Sequence, residues 1–179
     1  MPLGTALPYG LRDVKVAPMD PAGVIGTMVD LPNSQTLSFT ENEDFQELRG
    51  DDKVVAKRGS GPTVDWTLDN GGISLEAYAI MNGGTVVSSG ITPAMKKKYS
   101  KLGTDSKPDF WAEGQAMSES GGDFHVTLYR CKADGGIEGE LTDGEFWVTS
   151  ASGTGIADLA NKLYDMVQNE VALAIVQPA

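Results

Sequence analysis

The chain has one cysteine, Cys131, and one histidine, His125. A single cysteine excludes an intrachain disulfide. A single histidine leaves little from which to build a hydrolase triad, which needs a base beside its nucleophile. Together the two fall short of a structural zinc site, which takes four ligands. There is no Gly-x-Ser-x-Gly elbow, no Gly-Lys-Ser/Thr phosphate loop and no Gly-x-Gly-x-x-Gly. Long apolar runs are also missing. The longest, Val171 to Val176, is far too short to cross a membrane. Basic residues are scarce, 14 against 25 acidic ones, for a net charge of −11. That balance argues against a nucleic-acid-binding surface, which needs clustered Lys and Arg. The basic cluster that does occur, Lys96, Lys97 and Lys98 with Lys101 nearby, reads as a solvated loop. The first residues, MPLGTALPYG, have neither a basic start nor a long apolar centre. They do not read as a secretory signal, and synthesis in the cytoplasm fits.

At 179 residues the chain can bury a real core, and it reads as one domain over 1–179. Its 22 glycines suit a fold with many tight turns. The most informative stretch is Pro62 to Gly84. Val64, Trp66 and Leu68 alternate with Thr63, Asp65, Thr67 and Asp69, the period of a strand with one buried face. Asn70, Gly71 and Gly72 should end that strand. Ser74 can cap a short helix through Tyr78, Ile80 and Met81, and Gly83 can close it. The helix would then lie on the strand's apolar face.

Met1 to Gly10 reads as an extended arm, because Pro2, Pro8 and two glycines forbid a helix. Leu11 to Val16 alternates weakly, and Ser34 to Glu41 is a clearer strand. The segment 41–57 is acidic at first, through Glu41, Glu43, Asp44 and Glu47 to Asp51 and Asp52. Phe45 and Leu48 within it fit either helical spacing or the far end of a long hairpin returning through Lys53 to Lys57. Gly59-Ser60-Gly61-Pro62 reads as a turn. Further on, Thr85 to Ser89 is a short strand, Ile91 to Lys107 a long loop, and Phe110 to Met117 a strand. Asp123 to Lys132 is the best strand of the second half. Phe124, Val126 and Leu128 should face the core; His125, Thr127, Tyr129 and Cys131 should face away. Asp134-Gly135-Gly136 signals a hairpin, and Ile137 to Leu141 and Glu145 to Thr149 follow as strands, the latter with Phe146 and Val148 opposite Trp147. Within the C-terminal segment 156–179, Ile156, Leu159, Ala160, Leu163, Tyr164 and Val167 fit an amphipathic helix, and Val171 to Val176 a buried strand.

Candidate chemistry is thin. His125, in mid-strand, reads as a surface or interface histidine. Asp65, Thr67, Asp69 and Glu76 stand at calcium-loop offsets, but Asn70 occupies the obligatory glycine position and the segment reads as a strand. The Asp51-Asp52 pair reads as solvated surface.

The run LPNSQTLSFTENEDFQELRGDDKVVAKRGSGPTVDWTLDNGGISLEAYAIMNGG resembles the major tail proteins, or tail tube proteins, of long non-contractile-tailed bacteriophages. The likeness lies in the order of parts: a strand at Leu37, an acidic hairpin, the pair Gly50-Asp51, a strand at Trp66, and a helix ending at Gly83-Gly84. The segment GEFWVTSASGTGIADLANKLYDMVQNEVALAI is similar too. The resemblance implies a mainly β fold, an antiparallel sandwich or barrel with one or two short helices. It implies no enzyme activity, no catalytic residue, no metal and no cofactor. The partners it implies are further copies of the chain, in hexameric rings that stack into a hollow tube. Others are a tape-measure protein, tail-tip or baseplate proteins and a tail terminator, with DNA passing transiently through the lumen. Localisation would be the virion tail, with no membrane partner. It would make the C-terminal segment extended rather than helical. Candidate contacts between rings are Glu43, Asp44, Glu47, Asp51 and Asp52 of the hairpin and Leu3 and Tyr9 of the arm. An acidic lumen would repel phosphate.

Two other classes compete. A β-sandwich module binding a receptor or carbohydrate would want clustered surface aromatics, for which Trp147, Tyr129 and Trp111 are the candidates. A small hydrolase has almost no residues to draw on.

Overall fold

The computed structural model describes residues 4–178. Strands β1 (Pro8–Met19), β2 (Val29–Asp30), β3 (Ser34–Gly50) and β4 (Lys53–Gly71) precede a helix, α1 (Leu75–Asn82). Then come β5 (Thr85–Ser89), β6 (Lys96–Ser100), β7 (Asp109–Ser118), β8 (Asp123–Gly139), β9 (Val148–Ile156) and β10 (Tyr164–Asn169). Eight strands form one antiparallel sheet in the order β2-β1-β7-β8-β9-β4-β3, with β10 added alongside β8. The sheet folds over itself as a sandwich-like arrangement and does not close into a barrel. β5 and β6 form a separate two-stranded sheet.

The alternation seen in the sequence decides the core. Val14 and Val16 of β1, Val64, Trp66 and Leu68 of β4, and Phe110 and Ala112 of β7 all turn inward. The rings of Trp66 and Phe110 meet edge to face, 5.4 Å apart between centroids. Large side chains buried in this way contribute about 1.5–3 kcal/mol each. α1 covers one end of this core with Ala77 and Met81. Its N-terminus is capped by Ser74, whose hydroxyl accepts the Ala77 N–H at 3.4 Å. Gly83 ends it at φ 76°, where an added Cβ would stand 2.5 Å from the Ser106 carbonyl oxygen. Glycine is required there on both counts.

Several expectations fail for identifiable reasons. Gly59 to Pro62 is not a turn. β4 runs straight through it, and Gly61, at φ 43°, absorbs an irregularity in the pairing with β3. The chain reverses instead at Asp51 and Asp52, both at positive φ of 49° and 60°. Two positive-φ residues are what a two-residue turn needs to match the strand twist. Asp134-Gly135-Gly136 is not a hairpin either. β8 continues to Gly139, and the pairing with β9 skips from Lys132 to Gly136. The extra residues ride over the small side of β9, where a Cβ on Gly153 would fall 1.9 Å from the Lys132 carbonyl oxygen. The strand expected from Glu145 begins only at Val148. Part of the long loop after Ile91 is strand β6.

No helix forms at 156–168. Asp158 accepts the N–H groups of Ala160 and Lys162, both within 2.9 Å, and Asn161 turns left-handed at φ 62°. The chain then returns as β10. The helical spacing was misleading, since Leu159 and Val167 are exposed. The segment after β10 is not a strand. It lies as a strap on the outer face of the sheet, with Ile175 buried among Ala17, Met19 and Trp111.

Candidate assembly surface

Beyond Asn42 and Thr63 the hairpin of β3 and β4 leaves the body of the protein. Every residue from Glu41 to Arg58 is exposed. Backbone pairing carries it, from Asp44 opposite Ser60 to Gly50 opposite Lys53. Its own side chains add little. Lys57 sits 4.6 Å above the Phe45 ring, and Glu47 pairs with Arg49 at 3.1 Å and Lys57 at 4.0 Å. Such exposed pairs are worth about 0–1 kcal/mol each. Phe45, Leu48, Val54 and Val55 are each at least half exposed. At the neck, Leu11, Leu37, Phe39, Phe124 and Val126 line an open apolar cleft of about 230 Å³. Phe124, expected in the core, is thus only half-buried at the cleft.

The hairpin, one of the two alternatives for this segment, carries Glu43, Asp44, Glu47, Asp51 and Asp52 on one projecting element. Phe45 and Leu48 lie on its strand, not on a helix. β3 is the last strand of the sheet, so its outer edge has no strand partner. Along that edge Glu41, Glu43, Asp44 and Glu47 follow one another with no basic residue before Arg49. Among the described residues, Glu43, Asp44, Asp51 and Asp52 form no ion pair.

The N-terminal arm is less separate than its prolines suggest. Pro8 and Tyr9 already pair with Ser118 and Met117 of β7. Residues before them are held too, since the Glu119 N–H donates to the Leu7 carbonyl and Ser120 to that of Thr5. The reason is that β7 offers an unpaired edge there, which outweighs the poor propensity of Pro8. The Tyr9 side chain is exposed. Leu3 lies outside the described residues.

His125 is not at the surface. It is buried on the outer face of the sheet, under the C-terminal strap. Its Nδ1 meets Glu113 at 2.6 Å and its Nε2 meets Asp123 at 3.0 Å. Burial opposes its charge, but the two carboxylates outweigh this and raise its pKa. Asp123 has no solvent exposure. Burial pushes its pKa up, yet bonds from His125, Asn169, Gln115 and the Leu173 N–H bring it down to about 2. The same carboxylate therefore ties β7, β8, β10 and the strap together. Gln115 also donates to the Leu173 carbonyl at 2.7 Å. The isolated histidine and the run of Asp123, His125 and Thr127 on one face were the only sequence signals of this cluster. Cys131 does not share that face. The pairing of β7 with β8 shifts between Phe110–Cys131 and Ala112–Leu128, and the bulge turns Cys131 into the core. Burial there raises its thiol pKa.

The remaining candidates do not converge. Asp65 accepts from Asn42 at 2.5 Å, Asp69 from Ser150 at 2.7 Å, and Glu76 from Lys97 at 2.5 Å. Among the described residues no three His, Cys, Asp or Glu side chains gather as a metal site. Trp111, a candidate surface aromatic, is buried in the second apolar cluster. Tyr129 is half-buried and bonded to Asp165. Trp147 donates to Thr149 at 2.8 Å beside the fully exposed Phe146. Lys96, Lys97 and Lys98 lie on a strand rather than a loop. No family model matches the chain, and no curated protein matches it at a significant level.

Proposed function

We propose that the chain is a structural virion protein whose copies assemble into stacked hexameric rings, forming the hollow tail tube that conducts DNA during ejection. The observation that carries this reading is the projecting hairpin of β3 and β4. It exposes Phe45, Leu48, Val54 and Val55 and leaves an edge of the sheet open. An open, partly apolar edge is a liability in a lone molecule and an asset where another copy continues it. The resemblance in the order of parts, from Leu37 through the acidic hairpin to Gly83-Gly84, points the same way. The tape-measure, tail-tip and terminator proteins of such a tail are the partners this reading assigns, and the virion tail its location. It gives the chain no catalytic role. Electron micrographs test it. The purified chain, alone or with tail-tip and tape-measure proteins, should form rings or tubes. Replacing residues 43–62 by a two-residue Asn-Gly turn should leave the circular dichroism spectrum β-rich and abolish tubes. Persistent monomers of the intact chain in the presence of those partners refute the reading.

One feature favours a second reading, a carbohydrate- or receptor-binding module. Phe146 and Trp147 line a groove of about 500 Å³ together with the amides of Asn33 and Gln35. Aromatic faces beside amide groups suit a sugar ring. Glycan-array binding that is lost in Trp147→Ala, with a monodisperse monomer, would support this module over the tube.

A further inference from the structure

Another open edge of the molecule carries the opposite charge. β6 pairs only with β5, in the small sheet beside α1. It carries Lys96, Lys97 and Lys98 in a chain of net charge −11. Lys97 turns inward to Glu76, 2.5 Å away. On the same side of the strand Tyr99 packs edge-on against Tyr78 of the helix, 5.0 Å between ring centroids. Lys96 and Lys98 therefore point the other way, and among the described residues neither forms an ion pair. Lys98 stands opposite Val87 of β5, which is exposed. The hairpin edge has the complementary set: unpaired Glu43 and Asp44, followed by exposed Phe45.

We propose that the Lys96–Lys98 edge of one copy receives the Glu43–Phe45 edge of a second copy as an added strand. This deepens the self-assembly reading and rests on it. Within one copy β3 and β6 do not pair. Like edges cannot pair well: two β3 edges bring carboxylates together, and two β6 edges bring ammonium groups together. Only the crossed pairing is attractive. On one face of the added strand it sets Glu43 and Phe45, which lie together over Gly59, beside Lys96 and Lys98, while Asp44 falls on the opposite face with Lys97. Charge thus excludes a contact in which either edge pairs with its own copy, and a single crossed contact between two copies is head-to-tail. A head-to-tail contact either closes into a ring or continues as a stack, whereas a two-fold contact stops at a dimer. Because the pairs are exposed, the contact should weaken as salt rises.

The test uses two reversed-charge variants of the whole chain, Glu43→Lys with Asp44→Lys, and Lys96→Glu with Lys98→Glu. Circular dichroism checks that both fold, which is expected because all four side chains are solvent-exposed. Sedimentation velocity at low salt then reads self-association. Each variant alone should associate at least about tenfold more weakly than the unchanged chain, because every contact now opposes like charges. Mixed together, they should regain association, since each hairpin again meets an edge of opposite sign. Carbodiimide, which joins a carboxylate to an amine in contact, should cross-link Glu43 of isotopically labelled chain to Lys96 or Lys98 of unlabelled chain. If both variants associate as the unchanged chain does, or mixing fails to restore what each has lost, this pairing is wrong while self-assembly stands. If the unchanged chain neither associates nor cross-links between copies, both the pairing and the self-assembly reading fall.

Discussion

Replacing Asp123 by asparagine removes the charge from a carboxylate with no solvent exposure. Its Oδ2 accepts from Gln115 at 2.6 Å, from the Leu173 N–H at 2.8 Å and from His125 at 3.0 Å. Its Oδ1 accepts from Asn169 at 2.8 Å. An amide has only one oxygen, so at least one of these donors would face an NH₂ group. The His125 cation would keep a single carboxylate, Glu113. Breaking a buried charge pair from one side costs about 3–5 kcal/mol. Three of the four bonds can survive in neutral form, so a loss of about 3 kcal/mol is expected. For a chain of this size each kcal/mol moves the melting temperature by about 2–4 °C, giving a fall of ~6–12 °C. Calorimetry at pH 6 measures it. Hydrogen exchange adds a local readout, because the Leu173 amide should lose its protection while amides at the centre of β4 keep theirs relative to the lowered global stability. A melting temperature within ~2 °C of the unchanged chain would show that the cluster does not secure the strap and that its charges cancel in cost and gain.

The same cluster sets a pH dependence of opposite sign at its two ends. The raised pKa of His125 contributes stability that is complete below its ordinary value of 6.5 and is lost as pH rises through the folded value. The lowered pKa of Asp123 contributes stability that is present above its ordinary value of 3.8 and is lost as pH falls toward about 2. Melting temperature should therefore decline on both sides of mildly acidic pH, and His125→Gln should flatten the alkaline limb; an unchanged alkaline limb counts against the assignment. In the core, Trp66→Ala should cost about 3–5 kcal/mol. Among the described residues the Trp66 indole N–H is the one buried side-chain group without a hydrogen-bond partner. Trp66→Phe should accordingly lose less than half of the alanine effect in urea unfolding, and equal losses would mean that the indole N–H is satisfied in solution. At the hairpin tip, Asp52→Gly relieves a positive φ and should slow amide exchange in the hairpin without moving the global melting temperature by more than about 2 °C. Deleting residues 1–7 should preserve the β-rich spectrum, whereas deletion through Tyr9 also removes two pairs with β7 and should melt several degrees lower; equal melting of the two truncations would place Pro8 and Tyr9 outside the sheet.

Local sequence determined the elements whose pattern needs no partner to interpret. The alternation of Val64, Trp66 and Leu68, the Ser74 cap and the Gly83 stop specify a strand and a helix from neighbouring residues alone, and both form where the pattern puts them. The mainly β character follows in the same way. The acidic hairpin was legible as one of two alternatives, and the positive-φ pair Asp51-Asp52 decides for it. What tertiary structure decided are the places where distant strands override a local signal. Gly61 and Gly135 look like turns because glycine permits them, but each is carried along by a neighbouring strand, β3 or β9, and becomes an irregularity in a continuous strand. The segment 156–168 has helical spacing, but the open edge of β8 captures Tyr164–Asn169 as a strand. The bulge opposite Phe110 and Ala112 separates Cys131 from His125, which a simple period of two had placed together. The burial of His125 could not be read from its own strand, because the strap that covers it lies about fifty residues further along the chain. A strand's period tells which residues share a face; only the partners that the fold brings to that face decide whether it meets water.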